Sequence, residues 1–93
     1  MSIQDNKYEV YVPEYHSIDY ANKKYIECML EQSDFNLASS IHNADFIFIL
    51  DEYKDTYDAI FSHEYAEVNY IEIAESLYDL CKLRDDYELK EIK

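Results

Sequence analysis

The sequence predicts a small α+β domain with elements in the order β-α-β-β-α-β, giving a three- to four-stranded sheet and two main helices. Three observations predict it. The run DFIFIL is apolar on both faces, as a strand covered on both sides must be. KYEVYV and FNLASSI alternate with the period of strands. Two other stretches repeat their apolar residues at helical spacing. A three-stranded parallel α/β sheet with FIFIL in the middle is the alternative. Residues 1–93 read as one domain, with no repeat and no linker.

In KYEVYV, Tyr8, Val10 and Val12 share a face and Pro13 ends the strand. Ser17 can cap a helix from Ile18 to about Gln32, striped by Ile18, Ala21, Tyr25, Cys28 and Met29. FNLASSI is a short strand, and Asp45 opens FIFIL. The longest element is a helix starting between Tyr57 and Glu64, capped by Thr56 or Ser62. Ala66, Tyr70, Ile73, Ala74, Leu77, Leu80 and Cys81 form its stripe, which places Tyr70 in the core. DYELKEI reads as the last strand.

Charge is the outlying feature. Twenty-one acidic residues against eight Lys and Arg leave a net −13, while hydrophobic residues make up 48% of the chain. The composition is therefore that of a folding domain and not of an acidic tail. From Tyr25 to Cys81 there are thirteen acids and one base, Lys54. The other bases, Lys7, Lys23, Lys24, Lys82, Arg84, Lys90 and Lys93, lie towards the two ends. Such a surface excludes direct nucleic-acid binding and attraction to anionic lipid, both of which need basic patches. It points to a positively charged partner.

Glycine is absent. Phosphate-cradling loops, dinucleotide turns and nucleophile elbows all depend on it, so those activities are excluded, and turns must use Asn, Asp and Ser. Cys28 and Cys81 form no metal or disulfide pattern. The opening MSIQDNK has no signal-peptide run and no stretch approaches a membrane span, so a reduced, cytoplasmic setting is expected.

Three site chemistries compete. His63, Glu64 and Glu67 could share a helix face, but a zinc site needs further ligands at suitable spacing, and DEYKDTYD lacks the alternation and the glycine of a calcium loop. No metal or cofactor is expected. His16 and His42 fall at element boundaries, as turn or cap residues, and no nucleophilic triad is patterned. The stretch NADFIFILD followed by SHEYAEVNYIEIA resembles the second half of nucleoside deoxyribosyltransferase-type folds. That resemblance implies Glu67, followed by Val68-Asn69-Tyr70, as a carboxylate nucleophile. Asn69 stands where the family has glycine, and the preceding Gly-Thr turn is missing.

The third chemistry is the charge pattern itself, and it gives the expected site. Asp51, Glu52, Asp55 and Asp58 precede a helix carrying Glu64, Glu67, Glu72, Glu75 and Asp79, a row of about 20 Å at helical rise. Carboxylates at this density on a rigid scaffold can stand in for a phosphate backbone. Tyr53, Tyr57 and Tyr65 interleave with them and can stack on guanidinium groups. In size, charge and composition the chain resembles the phage-type DNA-mimic inhibitors of host defence, such as the small anti-restriction nuclease (Arn-like) proteins. The resemblance implies a non-enzymatic, cytoplasmic inhibitor, in the host cell cytoplasm if phage-encoded. It would occupy the DNA site of a restriction endonuclease or similar defence nuclease, a CRISPR effector or a nucleoid protein, with room for a homodimer. The alternative is an acidic immunity or interaction module for one basic partner.

Overall fold

The computed structural model describes residues 8–13, 15–50 and 55–92, and only the backbone of residues 57 and 90–92. Four strands, β1 (Tyr8–Tyr11), β2 (Phe35–Leu37), β3 (Phe46–Phe48) and β4 (Glu72–Ala74), form one sheet. Three helices, α1 (Tyr20–Gln32), α2 (Tyr57–Asn69) and α3 (Leu77–Ile92), cover it, and Tyr15–Ser17 and Ile41–Asn43 make single 3-10 turns. The sheet order is β2-β1-β3-β4 and every pairing is parallel. The domain is thus of the predicted small mixed class, and the FIFIL strand lies inside its sheet, as the parallel alternative has it.

The order explains the layers. The chain steps from β1 to β2 in one direction and from β3 to β4 in the other. Crossovers of one hand then put their helices on opposite faces. Ile26, Met29 and Leu30 of α1 and Leu80 of α3 pack with Val10, Val12, Phe35, Phe46 and Phe48 on one face. Ala59 and Ala66 of α2 pack with Ile41, Ile47 and Ile49 on the other. β3 spends both its faces on the molecule's own helices, so it offers no apolar surface to a second copy.

Caps fix the helix starts. Asp19 accepts from the Asn22 backbone N–H at 3.0 Å, Thr56 Oγ1 from that of Ala59 at 3.2 Å, and Ser76 Oγ from that of Asp79 at 3.1 Å. Asp19, not Ser17, therefore opens α1, because Ser17 belongs to the preceding 3-10 turn. The buried stripe of α1 is also rotated from the expected one: Ala21, Tyr25 and Cys28 face solvent. Two described residues adopt left-handed φ, Asp34 at 65° and Tyr70 at 59°.

Tyr70 marks the main departure from the expected elements. The helix expected through Cys81 stops at Asn69; Tyr70 is its left-handed C-cap and is 92% exposed, not in the core. Ile71 and Ile73, β-branched and alternating with Glu72, suit the strand that follows. Ile73 and Ala74 fit a helical stripe as well as a strand, so periodicity alone merges the two elements. DYELKEI is not a strand but the second half of α3. Its Leu, Glu and Lys residues are strong helix formers, and the sheet has its fourth strand in β4.

Candidate functional site: an acidic face around the fourth strand

Seven acids and no Lys or Arg occur from Asp55 to Cys81: Asp55, Asp58, Glu64, Glu67, Glu72, Glu75 and Asp79. All seven are exposed. The five that the sequence predicts on one helix, Glu64, Glu67, Glu72, Glu75 and Asp79, do not share it. Asp58, Glu64 and Glu67 lie on α2, Glu72 on β4, Glu75 after it, and Asp79 in the first turn of α3. Because α2 and α3 cover opposite faces and β4 is the edge strand between them, the acids wrap around that edge. The α2 row spans about 14 Å from Asp58 to Glu67 at helical rise. Asp51, Glu52 and Tyr53 lie outside the described residues, as does the side chain of Tyr57.

α2 lies close to the sheet because its inner face is small: Ala59, Ser62 and Ala66 are buried. Tyr65 is half-buried, its hydroxyl 3.0 Å from His42 Nδ1. It braces the helix and is not the fully exposed ring expected for stacking on a partner. The outer face carries residues that the sequence pattern did not single out. Ile60 and Phe61 are each 52% exposed and Val68 is 74% exposed, between the acids. A helical period that buries Ala59, Ser62 and Ala66 leaves these three apolar residues on the outer face.

The acids of α2 and β4 differ from Asp19, Glu27 and Asp45 in what they touch. No hydrogen bond or ion pair joins the Asp58, Glu64, Glu67 or Glu72 carboxylates to another described residue. Glu27 instead accepts from the Tyr15 hydroxyl and lies 3.7 Å from Lys24 Nζ. The Tyr15 bond, helped by Lys24, holds the Glu27 carboxyl below its usual range. Burial, with Glu27 adding to it, pushes the Tyr15 phenol up to about 12.

The other residues with metal-binding or catalytic chemistry are spread out. His63 and Glu67 are both exposed on α2, and among the described residues no three His, Cys, Asp or Glu side chains gather as a metal-holding group. His16 and His42 lie in the two 3-10 turns. Both cysteines are free: Cys28 is exposed and Cys81 packs against the core. No helix among the described residues is long and apolar enough to cross a membrane.

The class these elements define is a small parallel α/β domain with helices on both faces of its sheet and an acidic edge. Comparison with protein-family models, curated proteins and solved structures finds no match to this chain.

Proposed function

We propose that this protein is a non-catalytic inhibitor that occupies the DNA-binding groove of a basic partner, a DNA-handling protein such as a restriction or other defence nuclease. Carboxylates around the β4 edge would take the place of phosphates. The observation that carries this reading is that Glu64, Glu67 and Glu72 are exposed and that no hydrogen bond or ion pair joins their carboxylates to another described residue. Mutual repulsion among them costs stability, so a surface on which no described cation pairs with them suits a role outside the fold. A rigid helix and a strand hold them, which limits the entropy lost when a partner binds.

The position of Glu67 supports a binding role over a nucleophilic one. α2 runs back from the carboxyl ends of the strands, so Glu67, in its last turn, lies towards their amino ends. Substrate and cofactor sites of open parallel sheets lie beyond the carboxyl ends, whereas a protein partner can use any exposed face.

A second reading has its own observation. Ile60, Phe61 and Val68 are exposed among the acids, and a phosphate mimic has no use for them. A dedicated partner with an apolar patch inside a basic rim would use both, as an immunity-type module does.

Capture from lysate, followed by elution with salt and with duplex DNA, separates the readings. Release of a DNA-binding protein by duplex DNA, weakened in the Glu64→Gln/Glu67→Gln variant, is the result expected of the mimic. A partner that duplex DNA does not displace overturns the mimic and leaves the dedicated module.

A further inference from the structure

At the amino ends of β3 and β4, α3 runs past the sheet and leaves a cleft of about 360 Å³. It is lined by Phe46, Glu72, Leu83, Asp86, Tyr87 and Leu89. Its size falls in the range of ligand pockets, about 300–1,000 Å³. The register explains one wall. Glu72 pairs with Phe46, so its side chain shares the face on which Phe46 packs against Leu80 and the α1 core. An apolar residue is the ordinary occupant of that position, yet here it is a carboxylate.

The opposite wall is aromatic and fixed. The Tyr87 ring meets Tyr8 at 5.4 Å and Phe46 at 6.0 Å, both edge to face. Asp86, next in the chain, is exposed at the same cleft. No hydrogen bond or ion pair joins the Glu72 or Asp86 carboxylate to another described side chain. An apolar floor, an aromatic wall and two carboxylates that no described cation pairs with define what would fit: a cation that is planar, weakly hydrated and carried on an apolar stem.

We propose that this cleft between β4 and α3 is an anchor pocket for an arginine side chain of the basic partner, the guanidinium resting on Tyr87 and bridging Glu72 and Asp86. This rests on the proposed function only in taking the partner to be a basic protein. Arginine fits better than lysine: its planar fork stacks on an aromatic face, pairs with carboxylates through two parallel hydrogen bonds and is more weakly hydrated. The whole-chain charge of −13 supplies the long-range attraction, and the cleft supplies selectivity among cations.

The test uses two short peptides as probes, one alternating arginine with alanine and the other lysine with alanine. Each is titrated into the full chain by calorimetry and followed in amide NMR spectra. The arginine peptide is expected to bind about tenfold more tightly, about 1.4 kcal/mol, with shifts concentrated at Glu72, Leu83, Asp86 and Tyr87. Glu72→Gln/Asp86→Asn should remove that preference, whereas Glu64→Gln/Glu67→Gln should weaken both peptides alike. Both variants change only exposed carboxylates, and a thermal melt confirms that they fold. Equal affinity for the two peptides overturns the pocket, as do shifts spread along α2 or a Glu72→Gln/Asp86→Asn variant no worse than the α2 variant. Arginine-selective binding in the cleft with no DNA-displaceable partner keeps the pocket and removes the mimic. A DNA-displaceable partner that binds Glu72→Gln/Asp86→Asn as tightly as the unaltered chain does the reverse.

Discussion

The two halves of the sheet differ in how many of their acids the fold uses. In the half built from β1, α1 and β2, three acids hold the fold, while Glu31 and Asp34 are exposed and bond to no other described side chain. Asp19 caps α1, Glu27 takes the Tyr15 hydroxyl, and Glu9 accepts from Asn36 Nδ2 at 3.3 Å. At the seam, Asp45 Oδ2 accepts from the Glu9 backbone N–H at 2.9 Å while its own N–H donates to the Glu9 carbonyl at 2.8 Å, setting β3 beside β1. The bases are spent there too. Lys23 lies over the Tyr15 ring and Lys24 over Tyr20, each at 5.6 Å. In the half built from β3, α2 and β4, Glu64, Glu67 and Glu72 do none of this. Their carboxylates form no bond to another described residue.

The largest effect that could break this contrast comes from Arg84. Its guanidinium donates to the Ser33 carbonyl at 2.5 Å and lies over the Phe35 ring at 5.0 Å, tying α3 to the end of α1. Arg84→Ala should lower unfolding free energy by about 2 kcal/mol, the range for a hydrogen bond from a charged group. Glu64→Gln/Glu67→Gln should change it by less than about 0.5 kcal/mol, as substitutions on an uninvolved surface do. Denaturant melts of the two variants check both values. A loss in the glutamine variant as large as that in Arg84→Ala would make these acids part of the fold and end the division.

A smaller effect of opposite sign is expected at Tyr70. The chain turns from α2 into β4 through a tyrosine at φ 59°, a conformation that a side chain with a Cβ resists by roughly 1–2 kcal/mol. The Ile71 N–H donates to the Ala66 carbonyl at 2.9 Å across this turn, so the geometry is held by backbone bonds, while the ring is 92% exposed. Tyr70→Gly should therefore stabilise the domain by about 1 kcal/mol, glycine's greater unfolded-state entropy taking back part of the gain. An unchanged or lower melting temperature would mean that the ring makes a contact worth as much as the strain.

Tyr70 also shows where the sequence could and could not be read. β1, β2 and β3 were legible because period-2 alternation, or a run apolar on both faces, has few other readings. The edge strand β4 was not, because three residues are too few to separate a period of 2 from one of 3.6. Its partner β3 also lies far upstream, on the other side of α2. The exposed acids were legible from composition alone. Which acids are structural was not, since Asp45 meets Glu9 across 36 positions and Glu27 meets Tyr15 across 12. The cleft at Glu72 was equally hidden: it depends on the register with Phe46 and on α3 continuing where a strand was expected.

The smallest expected effect is a dependence on pH confined to the structural half. Hydrogen bonding holds the Glu27 carboxyl below its ordinary value of 4.5, so its contribution is fully present above that value. It is lost as pH falls through the lowered folded-state value, because the unfolded chain then binds the proton more readily. Tyr15 is raised from 10.0 to about 12, so its contribution is complete below pH 10 and lost as pH rises towards about 12. Tyr15→Phe removes the bond from both arms. The stability difference between the unaltered chain and Tyr15→Phe should therefore be flat between about pH 5 and 10 and narrow on either side. Chemical melts across that span measure it. Glu64→Gln/Glu67→Gln, compared at neutral pH, should show only a small gain from relieved repulsion that added salt screens away. A loss of stability in the α2 variant that salt leaves unchanged would show that these acids are bonded within the fold, and a partner surface would then have to be sought elsewhere.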